Sequence, residues 1–276
     1  MRALCIISLF LISTCMFGQQ LPKIKGSGIV ILKEVEITDA FNSIDIDGDF
    51  EIELRQGKTS QYEIETDDNL IDVIQFKVED NTLKISATHR IVKKKRFNIT
   101  VTAETISEIH LNNEARIKAD QLIKGDRILV TAGKSSVFDL DLDYTEAIDI
   151  ELFSDAKGTV RATSINSKVT TDGRSNLKGY FLIEAIEMEL SDSSKLTLDG
   201  VIENATIKVE GSGKLDAREG TFTTATLSLS ESSDAYIQVK ERIELYAQDT
   251  ATLELYGDPE IVVTGLKNKA RILKKE

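Results

Sequence analysis

The sequence predicts an all-β protein, a parallel β-helix in which coils of about 20 residues stack into a solenoid and the N-terminal strands act as a cap. Three observations carry this. Apolar residues fall on alternate positions in short runs along the whole chain, the period of a strand with one buried and one wet face. A unit of strand, polar turn and second strand, typified by residues 225–239, recurs at a near-constant interval toward the C-terminus. The chain has only two prolines, which suits long backbone ladders, and it carries no sustained helical period.

Composition bounds the rest. The 276 residues carry a formal net charge of −12, with 29% charged and 41% hydrophobic residues. That describes a self-repelling surface around a fillable core, and it argues against a nucleic-acid partner. Residues 1–20 read as a secretory signal peptide: Arg2 precedes an apolar run, Ala3 to Ile12, too short to span a membrane, with cleavage near Gly18 or Gln20. A buried first strand is the alternative. Both cysteines, Cys5 and Cys15, lie in this stretch. Ile12-Ser13-Thr14 before Cys15 resembles a lipobox, which offers a lipoprotein reading, although Thr14 and the apolar Met16-Phe17 fit it poorly. Either way the mature chain is expected to rely on packing and hydrogen bonds rather than disulfides.

Residues 21–105 read as an N-terminal strand region. Gly26-Ser27-Gly28 leads into an extended run, Ile29 to Ile37. The stretch from Ile44 to Leu54 alternates with a phase shift at Gly48, a bulge or bend. Tyr62 to Glu65 is a further strand, Asn69 to Val73 a single helical turn, and Ile74–Val78 and Leu83–Ile85 a pair joined by Glu79 to Thr82. Lys93-Lys94-Lys95-Arg96 reads as a solvated hairpin loop, with an anion contact as the alternative, ahead of Phe97 to Val101.

Residues 106–276 read as solenoid repeats. A small or apolar residue after each polar turn is placed at Ala115, Ser136, Ala156, Ser175, Leu196, Leu215, Ala235, Ala251 and Ala270. Ahead of the turns sit paired inward residues: Ile109 and Leu111, Ile148 and Ile150, Met188 and Leu190, Ile207 and Val209, Leu227 and Leu229. A coil of this length cannot hide its apolar edge alone, so successive coils stack and bury one continuous column. About nine coils at roughly 4.8 Å give a rod on the order of 40 Å long. Leucine-rich repeats share the period but need an asparagine at a fixed position and a helical half. An outer-membrane barrel needs apolar outward residues, whereas here they include Asp139, Asp141, Asp149, Glu151, Lys208 and Glu244. Lys267, Lys269, Arg271, Lys274 and Lys275 make the last coil a charged blunt end.

Several marks occur in order: Gly26-Ser27-Gly28, Phe41-x-x-Ile44, Phe50-x-Ile52-x-Leu54-x-Gln56-Gly57, Asp67-Asp68-Asn69-Leu70, Leu83-Lys84-Ile85, the turn Gly211-Ser212-Gly213, and Tyr256-Gly257-Asp258-Pro259. Together they resemble the bacterial family described as putative auto-transporter adhesin, head GIN domain, over nearly all of the mature chain. The resemblance implies a right-handed parallel β-helix in an exported, Bacteroidetes-type adhesin, with no family catalytic residues to carry over. Where the family favours Gly-Ser-Gly turns, this chain has Phe153-Ser154-Asp155, Asp192-Ser193-Ser194 and Ser232-Ser233-Asp234, so the turns read as conformational rather than ligand-binding.

The residues point away from catalysis. His89 and His110 are the only histidines, and with no mature cysteine neither a zinc site nor a cysteine nucleophile is expected. His110 alternates with Ile109 and Leu111 and so points outward. The acidic runs Asp45, Asp47, Asp49, Glu51 and Asp139, Asp141, Asp143 invite a calcium reading, but alternation spaces these carboxylates about 7 Å apart on one strand, so a solvated face is the better account. No catalytic, cofactor-binding or metal-binding residue is assigned, and no cofactor. The expected function is that of an exported, non-enzymatic envelope protein binding an unknown surface ligand, protein or carbohydrate, or serving as a scaffold. The alternative is a polysaccharide-active enzyme on a β-helix, for which the chain has short turns and no tryptophan, although Tyr180, Tyr236, Tyr246 and Tyr256 offer stacking surfaces.

Overall fold

The computed structural model describes residues 21–275, so the leader and the Cys15 alternative lie outside the described residues. The chain forms a β-solenoid of about nine turns with coils of about 19 residues. Its strands are β1 (Lys23–Lys25), β2 (Val30–Glu36), β3 (Ser43–Asp47), β4 (Glu51–Gln56), β5 (Gln61–Asp67), β6 (Ile74–Glu79), β7 (Thr82–Ala87), β8 (Arg90–Lys93), β9 (Phe97–Ala103) and β10 (Glu108–Asn112). The long coil strands follow: β11 (Arg116–Ala132), β12 (Val137–Leu152), β13 (Lys157–Thr171), β14 (Asn176–Leu190), β15 (Lys195–Val209), β16 (Lys214–Leu229) and β17 (Asp234–Ala247). The last are β18 (Thr252–Tyr256), β19 (Glu260–Leu266) and β20 (Arg271–Lys274). Asp68–Val73 is a 3-10 segment, where a helical turn is expected from sequence.

From β10 to β20 every pairing is parallel and joins consecutive coils. Inward side chains therefore file into columns. In one of them Ile150, Val169, Met188, Ile207, Leu227 and Leu245 lie directly above one another, all buried. Each such aliphatic side chain contributes about 1.5–3 kcal/mol relative to exposure. Alternation continues along each strand until two consecutive residues face outward, as at Thr145-Glu146, Ile165-Asn166 and Glu203-Asn204, and there the coil turns a corner.

The remaining reversal is a four-residue turn closed by a main-chain bond, as from Ala156 N to Phe153 O and from Ser194 N to Ser191 O. Its second residue has positive φ in coil after coil, at Ser154, Gly173, Asp192, Gly211, Glu231, Asp249 and Asn268. Two positions later a small buried residue closes the turn: Ala115, Ser136, Ala156, Ser175, Ser194, Gly213, Ser233, Ala251 and the half-buried Ala270. This corrects the column read from sequence at three places. Leu196, Leu215 and Ala235 stand two residues further along, on the first inward position of the next strand. The slip arises because period-2 alternation looks the same when shifted by two.

The N-terminal strands build both rungs and cap. β3 and β4 stack in parallel on β10 and β11, although some 65 residues separate the partners, as Ile44 and Ile109 illustrate. Gly48, at φ +130°, makes the bend between β3 and β4. β7 and β9 stack in turn on β3 and β4. Beyond them direction reverses: β6 runs antiparallel to β7, β5 antiparallel to β9, and β2 antiparallel to β5. The Gly26-Ser27-Gly28 loop is clasped on this cap. Ser27 N donates to Asn69 Oδ1 at 2.8 Å, Asn69 Nδ2 donates to Lys25 O at 2.9 Å, and Asp67, fully buried, accepts from Lys95 N at 2.9 Å. Two marks quoted separately from the sequence thus form one latch. The basic run joins it: the Lys95 ammonium donates to Gly28 O, Arg96 pairs with Glu65 at 2.8 Å, and the Lys94 ammonium sits 4.1 Å over the Phe97 ring.

Candidate ligand-binding face

Outward residues also file into columns, and two adjacent columns in the middle of the rod mix charged and polar side chains with aliphatic and aromatic ones. One runs Asp143, Thr163, Leu182, Val201, Thr221. Within it Leu182 and Val201 are neighbours across the ladder and 40% and 41% exposed, and Ile165 on the nearby corner is 47% exposed. The other runs Leu122, Asp141, Arg161, Tyr180, Asp199. Here the Arg161 guanidinium lies 5.0 Å from the Tyr180 ring centroid, within cation–π range.

Beside these columns a shallow trough of about 440 Å³ crosses the coils from Lys118 to Asp199. Asp139, Asp141 and Lys178 line it and form no salt bridge among the described residues. Lys118 meets Asp120 only at 4.0 Å. The trough therefore offers both signs of charge, one aromatic ring under a guanidinium, and aliphatic side chains at its flank. Some carboxylates elsewhere on the rod are paired: Asp155 is held below the usual carboxylate range by its hydrogen bonds from Arg174, and Lys168 pairs with both Glu187 and Glu189.

The residues weighed for chemistry from sequence lie apart. His110 faces outward with Nε2 3.2 Å from Glu108 Oε2, and His89 Nδ1 lies 2.9 Å from the hydroxyl of its neighbour Thr88. Both belong to the N-terminal part of the chain, away from the trough. The first acidic run is split by the Gly48 bend: the Asp47 carboxylate accepts from the Asn113 amide, and Asp49 pairs with Arg116 at 3.0 Å. In the second, Asp143 pairs with Lys124 at 3.2 Å. Among the described residues no three carboxylate, imidazole or thiol groups converge as metal ligands. No helix there is long and apolar enough to cross a membrane. Tyr180 is legible in the sequence as a stacking surface. Arg161, Lys178 and the trio Ile165, Leu182, Val201 are not, because their proximity comes from coil-to-coil register.

The architecture is that of a parallel β-solenoid with an antiparallel cap. The chain belongs to the family described as "Putative auto-transporter adhesin, head GIN domain", whose model matches residues 40–186 and 154–259. Among solved structures it is similar to a "putative adhesin" from Parabacteroides distasonis, at 16% identity and a TM-score of 0.63, over 92% of this chain and 100% of that one. A "putative adhesin" from Parabacteroides merdae gives 17% identity and a TM-score of 0.61 with the same coverage. A protein from Parabacteroides distasonis described as a "Putative lipid binding protein" gives 16% and 0.60, again over 92% and 100%. At these identities the likeness is one of fold. No curated protein matches the chain.

Proposed function

We propose that this is an exported, non-enzymatic, adhesin-like protein of the bacterial envelope, which holds a surface ligand on the mid-rod face around Tyr180, Leu182 and Val201. The observation that carries the reading is the aliphatic trio beside the trough in the middle of the rod, with Leu122 at the head of the adjoining column; the other large exposed aliphatic side chains, such as Leu32, Val92, Val263 and Leu266, lie toward the two ends. Membership of an adhesin family supports it, as does the shortness of the turns, which leave little chain to wall a catalytic cleft. The proposed organisation is a leader in residues 1–20, a strand region in 21–105 acting as the cap, and solenoid repeats in 106–276. With a net charge of −12, nucleic acid is not the expected ligand.

The test is a panel of envelope polysaccharides and surface proteins presented to the purified chain. Retention without new reducing ends is expected, with at least a tenfold loss in the Leu182→Glu/Val201→Glu variant. Released ends would favour the polysaccharide-active enzyme. Retention indifferent to both substitutions would move the site elsewhere on the rod.

A further inference from the structure

The capped end of the rod is stepped. One flank continues from β9 through β5 to β2, two strands, while the opposite flank continues from β7 only to β6. β2 therefore overhangs an empty position beside β6, and a recess of about 600 Å³ marks it, lined by Lys33, Tyr62, Ile64, Ile71 and Phe76 among others. The inner face of β2, carrying Ile31, Lys33 and Val35 above Thr66, Ile64 and Tyr62, looks into this space. Ile31 is 40% exposed, and Lys33 has no salt-bridge partner among the described residues.

Hydrogen-bond parity tells what can fill it. Ile29 O accepts from Asp68 N and Ile37 N donates to Ser60 O, so the odd residues of β2 bond to β5. The main-chain groups of Leu32, Glu34 and Glu36 point off the free edge, and their side chains lie on the outer face. On β6, Val73 O accepts from Thr88 N, so there the free-edge groups belong to Ile74, Phe76 and Val78, whose side chains lie on the inner face. In an antiparallel pair, residues that bond each other share a face; in a parallel pair, a bonding residue sits opposite one whose groups turn away. A strand like β2 therefore fits beside β6 in parallel and not antiparallel.

A two-fold axis along the strand direction supplies that arrangement. A tight turn reverses the chain between β3 and β4. β2 runs with β4, and β6 runs against β3, so β2 and β6 point the same way. Rotation about the strand direction exchanges the flanks and preserves this sense, so the long flank of one copy meets the short flank of the other, twice over. We propose that two copies of this chain join at their capped ends in such a lap joint, β2 of each pairing in parallel with β6 of the other.

The register follows. Val35 lies opposite Tyr62, whose ring stacks on Phe76 at 3.8 Å, so Val35 and Phe76 stand at one height along the strands. The rotation keeps that height. It sets Val35 beside Phe76 of the second copy, Glu36 beside Lys77, and Lys33 beside Ile74 with Asp72 close by. Val35 meets Phe76 inside, where Lys33 is the one charge and is set near Asp72, and on the outer face Glu36 comes beside Lys77, which within one copy pairs with Glu79. The joint is isologous and closes, so it stops at two copies.

Sedimentation of the purified chain is expected to give twice the single-chain mass. Glu34→Pro removes a donor that points only off the free edge and should return the single-chain mass. Glu36→Lys and Lys77→Glu should each weaken association at least tenfold, and the double exchange should restore it. In a chain carrying both Glu36→Cys and Lys77→Cys, oxidation should trap a covalent pair that neither single substitution gives, since the two positions lie on opposite outer flanks of one copy. A single-chain mass for the unaltered protein overturns the proposal. So does a pair indifferent to the charge exchange and untrapped by the two cysteines.

Discussion

The phenol of Tyr144, buried inside the coil stack, donates a 2.8 Å hydrogen bond to the main-chain oxygen of Ile106. Among the long coil strands β11 to β17 it is the one tyrosine filed among the inward aliphatics, and it links coil β12 to the entry of the repeat region. Burial pushes its pKa well above the ordinary tyrosine value. Tyr144→Phe leaves the Ile106 carbonyl buried and unpaired, at a cost of about 1–3 kcal/mol in chemical denaturation. The sign with pH follows. A folded pKa above the unfolded one gives stability that is intact below about pH 10 and is lost as pH rises through the folded value. The alkaline limb of the stability profile should shrink in Tyr144→Phe.

Gly158 lies directly under the ring of Phe138 in the preceding coil, and a Cβ there would run into the ring. Gly158→Ala should cost about 1–3 kcal/mol by overpacking. Phe138→Leu in the same chain should recover part of that loss, measured as a non-additive double-mutant cycle.

Glu231 holds the left-handed position of its turn, φ 60°, where the turns two coils and one coil before have Asp192 and Gly211. An L-residue pays about 1–2 kcal/mol there, and glycine gives back part of it in chain entropy. Glu231→Gly should therefore stabilise by roughly 0.5–1 kcal/mol, a rise in Tm of a few degrees. A fall would mean that the Glu231 side chain contributes more than its backbone conformation costs.

Glu79 sits between Lys77 and Lys84, and their hydrogen bonds and charges hold its carboxyl down to about 2. Its contribution to folding is complete above the unfolded carboxylate value and fades only as pH falls toward about 2. NMR titration of the Glu79 carboxyl should show that depressed midpoint, and Lys84→Ala should move it upward.

Much of this fold is legible in one sequence, and the parts that are not share a cause. Ile148 with Ile150, Met188 with Leu190 and Leu227 with Leu229 point inward as their alternation predicts, and Gly48 bends the chain where the phase shifts. Local pattern specifies a face. It does not specify which coil lies next, so the column slips at Leu196, Leu215 and Ala235 and is recovered only from hydrogen-bond register. The stacking of β3 on β10 across the excursion of residues 57–107 is likewise silent in sequence, as is the antiparallel cap. The proposed binding face is the extreme case. Arg161 and Tyr180 stand one coil apart, and nothing in either segment says that they meet.

The ladders that join one coil to the next run along the rod, so tension between its two ends loads them in series. A coil that lets go releases about 19 residues, on the order of 65 Å of slack, while the coils behind it stay wound. A rod built this way lengthens in instalments under tension, one coil at a time, instead of parting at once.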